Sequence, residues 1–226
     1  MKKKDYQLLE NYMHRCMGDS AHDREHIYRV LYNALAIAEK ENGVDYDVLI
    51  TACLLHDIGR QEQFADPKVC HAQAGSEKAY CFLTKNGFDG AFSKKVADCI
   101  RTHRFRKEDV PQSLEAKILF DADKLDVTGA VGIARTLMYK GDQVEPLYIR
   151  QLDGGISNGE GDDVSSFFRE YKFKLERLYD RFLTAEGARL AENRRLAAVQ
   201  FYEALYREVN ETDKSGKAGL NKLLEE

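Results

Sequence analysis

Proline and segments of alternating apolar and polar residues are scarce in this sequence of 226 residues. Only three prolines occur, and period-2 alternation, the pattern of a half-buried strand, is rare. Long windows instead repeat apolar residues every three or four positions, which is the spacing of one face of an α-helix. The scarcity of strand signals excludes a mainly β fold, and the periodicity predicts an all-α protein.

The sequence also lacks a long apolar run. No window approaches the ~20 consecutive apolar residues that a membrane-spanning helix needs. The lysines at positions 2–4 resemble the start of a signal peptide, but Asp5, Glu10 and Arg15 interrupt any apolar stretch that would follow. We therefore expect a soluble protein with no membrane partner.

Neither a strong excess of one charge nor a cysteine framework is present. The 34 lysines and arginines stand against 38 aspartates and glutamates, which gives a formal charge of -4, so no basic field indicates a nucleic-acid partner. The five cysteines are odd in number and contain no C-x-x-C pair. We expect reduced, buried thiols in a cytoplasmic protein. A small-molecule partner fits this composition best, and the oligomeric state is left open.

Helices are predicted along most of the chain. Residues 44–58 are expected to form a central helix that ends at Gly59, because this segment is apolar almost all round and such a helix requires burial on every side. Residues 60–70 are predicted to be a polar loop and residues 141–164, which are rich in glycine, a long mobile loop. The other predicted helices cover about 5–17, 21–40, 71–85, 91–104, 113–126, 128–140, 165–183 and 187–209.

The length favours one domain over residues 1–226. We expect a core over about 20–140, followed after the loop by C-terminal helices over about 165–209 that pack back on it. The last dozen residues are expected to fray.

Two ionisable residues, His56 and Asp57, end the most apolar helix. Burying an unpaired carboxylate costs several kcal/mol in practice, so this pair needs partners. A cation bound between the two side chains would be such a partner, and a hydrogen-bonded His–Asp pair at a helix end is the alternative.

Three further histidines extend inward-facing apolar stripes. His26 borders the inner face of its helix, with His22 one turn upstream as a competitor at the rim, while His71 and His103 lie on the inner faces of two later helices. Each alone is more often a satisfied core histidine. Four inward histidines with aspartates in a short helical core favour a metal site.

Three aspartates, Asp121, Asp123 and Asp126, crowd one helical turn, and their spacing does not choose among them. Histidine nitrogen and carboxylate oxygen together suit a hard or borderline divalent ion. Such an ion is the usual means of activating water against a phosphate ester, so the residues predict a hydrolase.

The order of these residues resembles the HD-domain superfamily of metal-dependent phosphohydrolases. The string SSFFREYKFKLERL also resembles the C-terminal helices of its compact bacterial branch, which hydrolyses nucleotides. The resemblance covers about residues 15–205 and implies an all-α HD-domain helical bundle with additional C-terminal helices. The matching segments are HDREHIYRV, LLHDIGR, HAQAGSEKA, IRTHR and DADKLDVTGAVGIAR.

The resemblance implies that four residues bind one divalent ion, such as Mn²⁺ or Mg²⁺: His26, His56, Asp57 and Asp123. Asp123 is chosen because the family pattern D-x-D-x-L-D places the ligand at its second aspartate. Some branches add two histidines and hold a second metal, and His71 and His103 occupy matching positions. Other relatives keep such histidines facing the substrate, so the number of metal ions stays open.

Arg60 stands where some nucleotide-cleaving relatives carry an acidic residue, and the nearby Glu62 does not match that position. A catalytic carboxylate there is therefore not supported, whereas an arginine is suited to grip a phosphate oxygen. A surface arginine on a loop is the alternative. Arg101, Arg104 and Lys124 are further candidate phosphate contacts.

These implications predict metal-dependent hydrolysis of a phosphate ester or anhydride in a nucleotide-like substrate, by a nucleoside triphosphate pyrophosphohydrolase or phosphatase. Asp57 is a candidate base toward water, and His71 or His103 a candidate proton donor to the leaving oxygen. A two-metal phosphodiesterase and a non-catalytic nucleotide or metal sensor are the alternatives. The base, sugar and phosphate chain of the substrate are left open.

Overall fold

The computed structural model describes residues 1–17, 21–104 and 109–224, without the side chains of 21–23, and the regular structure within these ranges is helical. A single bridge between Arg150 and Ile156 is the one β contact among them. The predicted all-α fold is therefore confirmed. The helices are α1 Lys3–Met17, α2 Ala21–Ala38, α3 Tyr46–Leu55, α4 Arg60–Ala65, α5 His71–Lys85, α6 Gly90–Thr102, α7 Leu114–Leu125, α8 Gly129–Asp142, α9 Phe167–Phe173 and α10 Ala185–Leu224, with a 3₁₀ turn at Leu175–Arg177.

The chain divides into two compact units. Unit 1 comprises Met1–Asp126 and Phe182–Ala188, and unit 2 comprises Val127–Arg181 and Arg189–Glu226. Unit 1 contains α1 to α7, and unit 2 contains α8, α9 and most of α10. The single domain expected from the length stays a prediction.

Helix α3 is the centre of unit 1, as its apolar sequence predicted. It contacts α1, α2, α6 and α7, and its residues 51–55 are all buried. The Asp45 side chain caps its first turn by accepting from Val48 N at 3.2 Å. The helix ends at Leu55 with His56 as its C-cap, so the predicted range of 44–58 is too long at both ends.

Two helix pairs flank this centre and determine where the histidines lie. Helix α2 packs against α7, and α5 packs against α6. The first pair brings His26 to the aspartates of α7, and the second brings His71 at the start of α5 to His103 at the end of α6. The fold therefore gathers residues that are far apart in the sequence.

The predicted loop 60–70 is wrong in its first half, because Arg60–Ala65 forms α4. Six residues are too few to show helical periodicity in a sequence. Gly59 has φ −93°, so it does not end α3 in the left-handed conformation of a C-terminal glycine.

The predicted helices 165–183 and 187–209 also differ from the structure. Helix α9 covers only Phe167–Phe173 and is followed by the 3₁₀ turn. At the far end of the predicted range, the backbone N–H groups of Leu183 and Thr184 donate to the Asp121 carboxylate at 2.7–3.1 Å. Helix α10 continues to Leu224, where fraying was expected.

Residues 143–166 contain no helix, in agreement with the predicted loop 141–164, and its mobility stays a prediction. Arg150 in this loop contacts Asp213 of α10 at 2.6 Å. None of the described helices combines the length and the apolar character needed to cross a membrane.

Candidate metal centre

Three residues from separate helices form a first cluster of potential metal ligands in unit 1: His26, His56 and Asp123. The Nε2 atoms of His26 and His56 lie 3.4 Å apart. Asp123 Oδ1 lies 3.3 Å from His26 Nε2 and 4.0 Å from His56 Nε2. The structure thus brings together three of the four ligands that the resemblance implies.

Asp57, His71 and His103 form a second cluster, and all three are buried. The Nε2 atoms of His71 and His103 lie 3.3 Å apart. Asp57 Oδ1 lies 3.3 Å from His71 Nε2 and 3.7 Å from His103 Nε2. The two additional histidines of the sequence therefore share one carboxylate.

Asp57 also faces the first cluster through its other oxygen. Its Oδ2 lies 3.6 Å from His26 Nε2 and 3.7 Å from His56 Nε2. Its Oδ1 is buried and finds no hydrogen-bond partner among the described residues. An orphaned buried carboxylate oxygen is costly, and a cation beside it would relieve that cost.

The four imidazoles are held with their Nε2 atoms directed into the clusters. The Nδ1 of His56 donates to Cys53 O at 2.8 Å and that of His103 to Ile100 O at 2.6 Å. The Nδ1 of His71 lies 2.7 Å from Gln63 Oε1. A histidine that donates from Nδ1 keeps a lone pair on Nε2, which is the arrangement of a metal ligand.

Facing lone pairs repel each other, so the Nε2 atoms of His71 and His103, 3.3 Å apart, lack a favourable contact unless a proton or a cation lies between them. This donor set and the orphaned Asp57 oxygen fit a divalent ion in each cluster.

Burial lowers the pKa of His56 to about 4 and that of His71 to about 3, although the nearby Asp57 carboxylate acts in the opposite direction. Both imidazoles are therefore neutral at pH 7. Neutral imidazole is the form that binds a metal ion.

Burial also disfavours the charged form of His26, but hydrogen bonds with Asp123, Asp126 and Asp57 raise its pKa to about 10. Burial by itself raises the pKa values of Asp57 and Asp123. The surrounding histidines, and Arg60 in the case of Asp57, outweigh burial and hold both pKa values below the usual range. Without a metal ion, His26 therefore holds a proton among these carboxylates, and a bound cation would displace that proton. Such a cluster of carboxylates suits a cation.

Asp121 and Asp123 of α7 and Asp126, its C-cap, have different partners, which the sequence spacing left undecided. Asp123 faces the Nε2 atom of His26, and Asp126 faces the Nδ1 atom of the same ring at 2.7 Å. Asp121 instead accepts from the backbone of residues 183 and 184. The geometry supports Asp123 as the candidate ligand, in agreement with the position that the family pattern implies.

Two glycines allow α5 to approach the turn that carries His56 and Asp57. A Cβ added to Gly59 would lie 2.3 Å from His71 O and 2.5 Å from Gly75 N. A Cβ on Gly75 would lie 3.4 Å from His56 O. This close approach of the two backbones places the second cluster beside the first.

Two of the predicted phosphate contacts lie at the clusters. Arg60 Nε donates to Asp57 Oδ2 at 2.9 Å. Arg104 is close enough to His71 to contribute to the lowering of its pKa, although burial is the main cause. Its Nη1 is buried and has no hydrogen-bond partner in the described part of the chain, so it is suited to receive an anionic oxygen.

The other two predicted contacts have different surroundings. Lys124 Nζ lies 4.3 Å from the centre of the Phe120 ring. Arg101 Nη1 donates to Asp109 Oδ1 at 2.5 Å and lines a cavity of about 620 Å³, whose described lining contains none of the clustered histidines. Their roles at a phosphate stay predictions.

Sequence reasoning missed Gln63, which contacts His71, and Arg29, which contacts the Asp126 carboxylate behind His26. Gln63 lies on α4, which was predicted to be a loop, so no helical face indicated that it meets His71. Arg29 binds Asp126, a contact between α2 and α7 that no local pattern indicates.

Two residues that the sequence analysis named remain. Glu62 accepts from Lys78 Nζ at 2.7 Å, and the side chain of His22 lies outside the described residues.

The HD domain family matches this chain over residues 24–128. YpgQ of Bacillus subtilis is 32% identical over 197 residues, which cover 84% of this chain and 85% of YpgQ. The crystal structure of YpgQ in complex with ADP has a TM-score of 0.71 at 30% identity and covers 91% of this chain and 95% of that chain.

A crystal structure of a predicted HD superfamily hydrolase from an uncultured Thermotogales bacterium has a TM-score of 0.61 at 32% identity and covers 89% of this chain and 91% of that chain. The HD-superfamily hydrolase of Bacillus thuringiensis has a TM-score of 0.70 at 26% identity, over 93% of this chain and 99% of that chain. These similarities extend beyond the matched domain. The chain belongs to the HD-domain superfamily of metal-dependent phosphohydrolases, as the order of its histidines and aspartates predicted.

Proposed function

We propose that this protein hydrolyses a phosphate ester or anhydride in a nucleotide-like substrate, as a nucleoside triphosphate pyrophosphohydrolase or phosphatase. The observation that carries the proposal is the position of Asp57 between two clusters of histidine Nε2 atoms, with one carboxylate oxygen toward each. This arrangement suits the binding of divalent cations, on which phosphate-ester hydrolysis commonly depends.

One ion would be held by His26, His56, Asp57 Oδ2 and Asp123, and a second by His71, His103 and Asp57 Oδ1. Mn²⁺, Mg²⁺ or a similar ion is the candidate, because the carboxylate oxygens suit Mn²⁺ and Mg²⁺ and the imidazole nitrogens favour a transition metal such as Mn²⁺. A bound divalent ion supplies positive charge that polarises a phosphoryl oxygen and favours hydroxide formation from water near neutral pH.

The protein's own side chains are assigned roles around that centre. The buried Nη1 of Arg104 is suited to bind a phosphate oxygen, since it has no hydrogen-bond partner among the described residues. Asp57, whose carboxylate stays ionised, is suited to orient water, whereas its lowered pKa makes it a weak proton acceptor. The lowered pKa of His71 argues against proton donation by this residue and favours a ligand role.

A nucleotide substrate is supported by the ADP complex of YpgQ, which shares the fold over nearly the whole chain. Bound ADP in that protein shows that a relative with this architecture accepts a nucleoside diphosphate. A panel of nucleotides determines which base and sugar this chain prefers.

The test is to incubate the protein with a panel of divalent ions and a panel of nucleotides, and to measure orthophosphate and pyrophosphate separately. We expect metal-dependent release of one of these products, and we expect His56→Ala to abolish it. His14→Ala is the matched control, because His14 contacts Tyr28 and lies outside both clusters. A His56→Ala protein with full activity would refute the assignment.

A two-metal phosphodiesterase is the second candidate, and the second cluster is the observation in its favour. Product identity separates the two, because a phosphodiesterase yields a monoester from a diester and releases no pyrophosphate from a triphosphate. Tight nucleotide binding without turnover in every metal would instead indicate a sensor.

A further inference from the structure

His26 differs from the other clustered histidines in what stands behind its ring. Its Nδ1 lies 2.7 Å from Asp126 Oδ2, whereas the Nδ1 atoms of His56 and His103 donate to backbone carbonyls and that of His71 faces the amide oxygen of Gln63. A carboxylate therefore supports one ring, and neutral oxygens support three.

Asp126 is itself fixed in position. Arg29 Nε donates to Asp126 Oδ1 at 2.6 Å, and Arg29 Nη2 donates to Asp126 Oδ2 at 3.0 Å. This bidentate pair holds the carboxylate in one plane. The Asp126 side chain is 1% exposed and that of Arg29 is 36% exposed. Arg29, Asp126 and His26 therefore form a relay of contacts from the protein surface to the buried imidazole.

We propose that Asp126, held by Arg29, is the positioning residue of the first cluster and makes it bind a divalent ion more tightly than the second cluster. The inference rests on the proposed metal centre. A carboxylate behind a metal-binding imidazole fixes its tautomer and ring orientation and increases the basicity of the ligating nitrogen. The neutral acceptor Gln63 provides the orientation without the charge.

The numbers of carboxylates point in the same direction. The first cluster offers Asp123 and Asp57 Oδ2 as oxygen donors. The second cluster offers only Asp57 Oδ1 among the grouped residues. More negative charge around a divalent ion gives tighter binding, so the second ion is the more readily exchanged one.

The test is a titration of the metal-free protein with Mn²⁺, in which the free ion is measured by electron paramagnetic resonance. We expect two classes of site in the unmodified protein, one tight and one weaker. Asp126→Asn keeps the shape and removes the charge. It is expected to weaken the tight class about 10–100-fold and to leave the weaker class unchanged within about twofold.

Asp121→Asn is the matched control, because Asp121 lies on the helix that Asp126 caps and is also buried, but it binds the backbone at Thr184. It is expected to lower stability without selectively weakening the tight class. Gln63→Leu provides the reciprocal variant, since it should weaken only the second class. Arg29→Gln leaves the buried aspartate in place and tests the relay if Asp126→Asn does not fold.

Three results would overturn the proposal: an unchanged tight class in folded Asp126→Asn and Arg29→Gln, an equal loss in both classes, or the same selective loss in Asp121→Asn. A single class of site in the unmodified protein would overturn the ranking of the two clusters. The titration contains no nucleotide. A failure of the proposed hydrolysis therefore appears only in the product assay, and a failure of the relay appears only in the metal affinities.

Discussion

Asp57 is the residue on which both clusters depend, because its two oxygens face different histidine pairs. Asp57→Asn replaces one oxygen by a nitrogen that cannot bind a cation. We expect this variant to weaken both classes of Mn²⁺ site and to abolish turnover, whereas His103→Ala is expected to weaken only one class. Isothermal titration calorimetry of the metal-free proteins distinguishes the two patterns.

His14→Ala serves again as the control for this comparison, since His14 is a histidine of unit 1 outside the clusters. If Asp57→Asn retained one class of site with its original Mn²⁺ affinity, this carboxylate would contribute to metal binding in only one of the two clusters. If His103→Ala weakened both classes equally, the clusters would behave as one site.

Arg104 provides a second test at the residue scale. Its Nη1 is buried and lacks a hydrogen-bond partner among the described residues. A hydrogen bond to a charged group contributes about 1.5–3 kcal/mol, so we expect Arg104→Met to raise KM for the nucleotide about 10–100-fold. Metal affinity should not fall, because removing a cation near His71 does not disfavour a bound ion.

Steady-state kinetics on the best nucleotide of the panel, with Mn²⁺ in excess, measures this effect. Arg15→Gln is the control, because Arg15 lies over the Tyr12 ring on α1. An unchanged KM in Arg104→Met would show that this guanidinium does not contact the substrate.

The identity of the candidate ligands could be predicted from the sequence, but their supporting partners could not. The family order singled out Asp123, and the structure adds that Asp126 stands behind His26 while Asp121 binds the backbone near residue 184. Three aspartates on one turn look alike in a sequence. Their partners come from α2 and from residues 183–184, which are remote in the chain.

At the scale of the helices, the close approach of α5 to the turn at Gly59 connects packing to the site. A Cβ at Gly59 would lie 2.3 Å from His71 O, and backbone atoms cannot yield as a flexible side chain does. Overpacking of this kind costs about 1–3 kcal/mol. Gly59→Ala is therefore expected to lower the free energy of unfolding by about that amount and to weaken the second class of metal site.

Urea denaturation and the Mn²⁺ titration together test this prediction. Gly90→Ala is the matched control, because Gly90 begins α6 and a Cβ there would meet nothing within 4 Å. Its stability should be unchanged or slightly raised, since alanine is the better helix former. Equal stabilities of the two variants would contradict the close approach.

Helix ranges followed the sequence where periodicity was long and failed where other contacts competed. The predicted helix 71–85 coincides with α5. The predicted helix 165–183 stops at Phe173. At the end of that predicted range, the N–H groups of Leu183 and Thr184 bind Asp121, so a carboxylate from a distant helix replaces there the local hydrogen bonds that periodicity assumes.

At the scale of the whole molecule, all candidate ligands belong to unit 1, on or beside α2, α3, α5, α6 and α7. An ion that binds only the folded state stabilises it by RT ln(1 + [L]/Kd), which is about 2.7 kcal/mol at a free concentration of 100 Kd. Amides of unit 1 that exchange through its unfolding should therefore exchange about 100-fold more slowly with Mn²⁺ bound.

Hydrogen exchange followed by mass spectrometry measures this protection peptide by peptide. We expect the gain in peptides from α3 and α7, which carry buried residues beside the clusters, and we expect His56→Ala to lose most of it. Amides at exposed helix ends exchange through local opening, so their exchange rates should not change when Mn²⁺ binds. If Mn²⁺ bound at the measured affinity and left the exchange of α3 and α7 unchanged, the ion would lie outside the clusters, and the proposed centre would have to be abandoned.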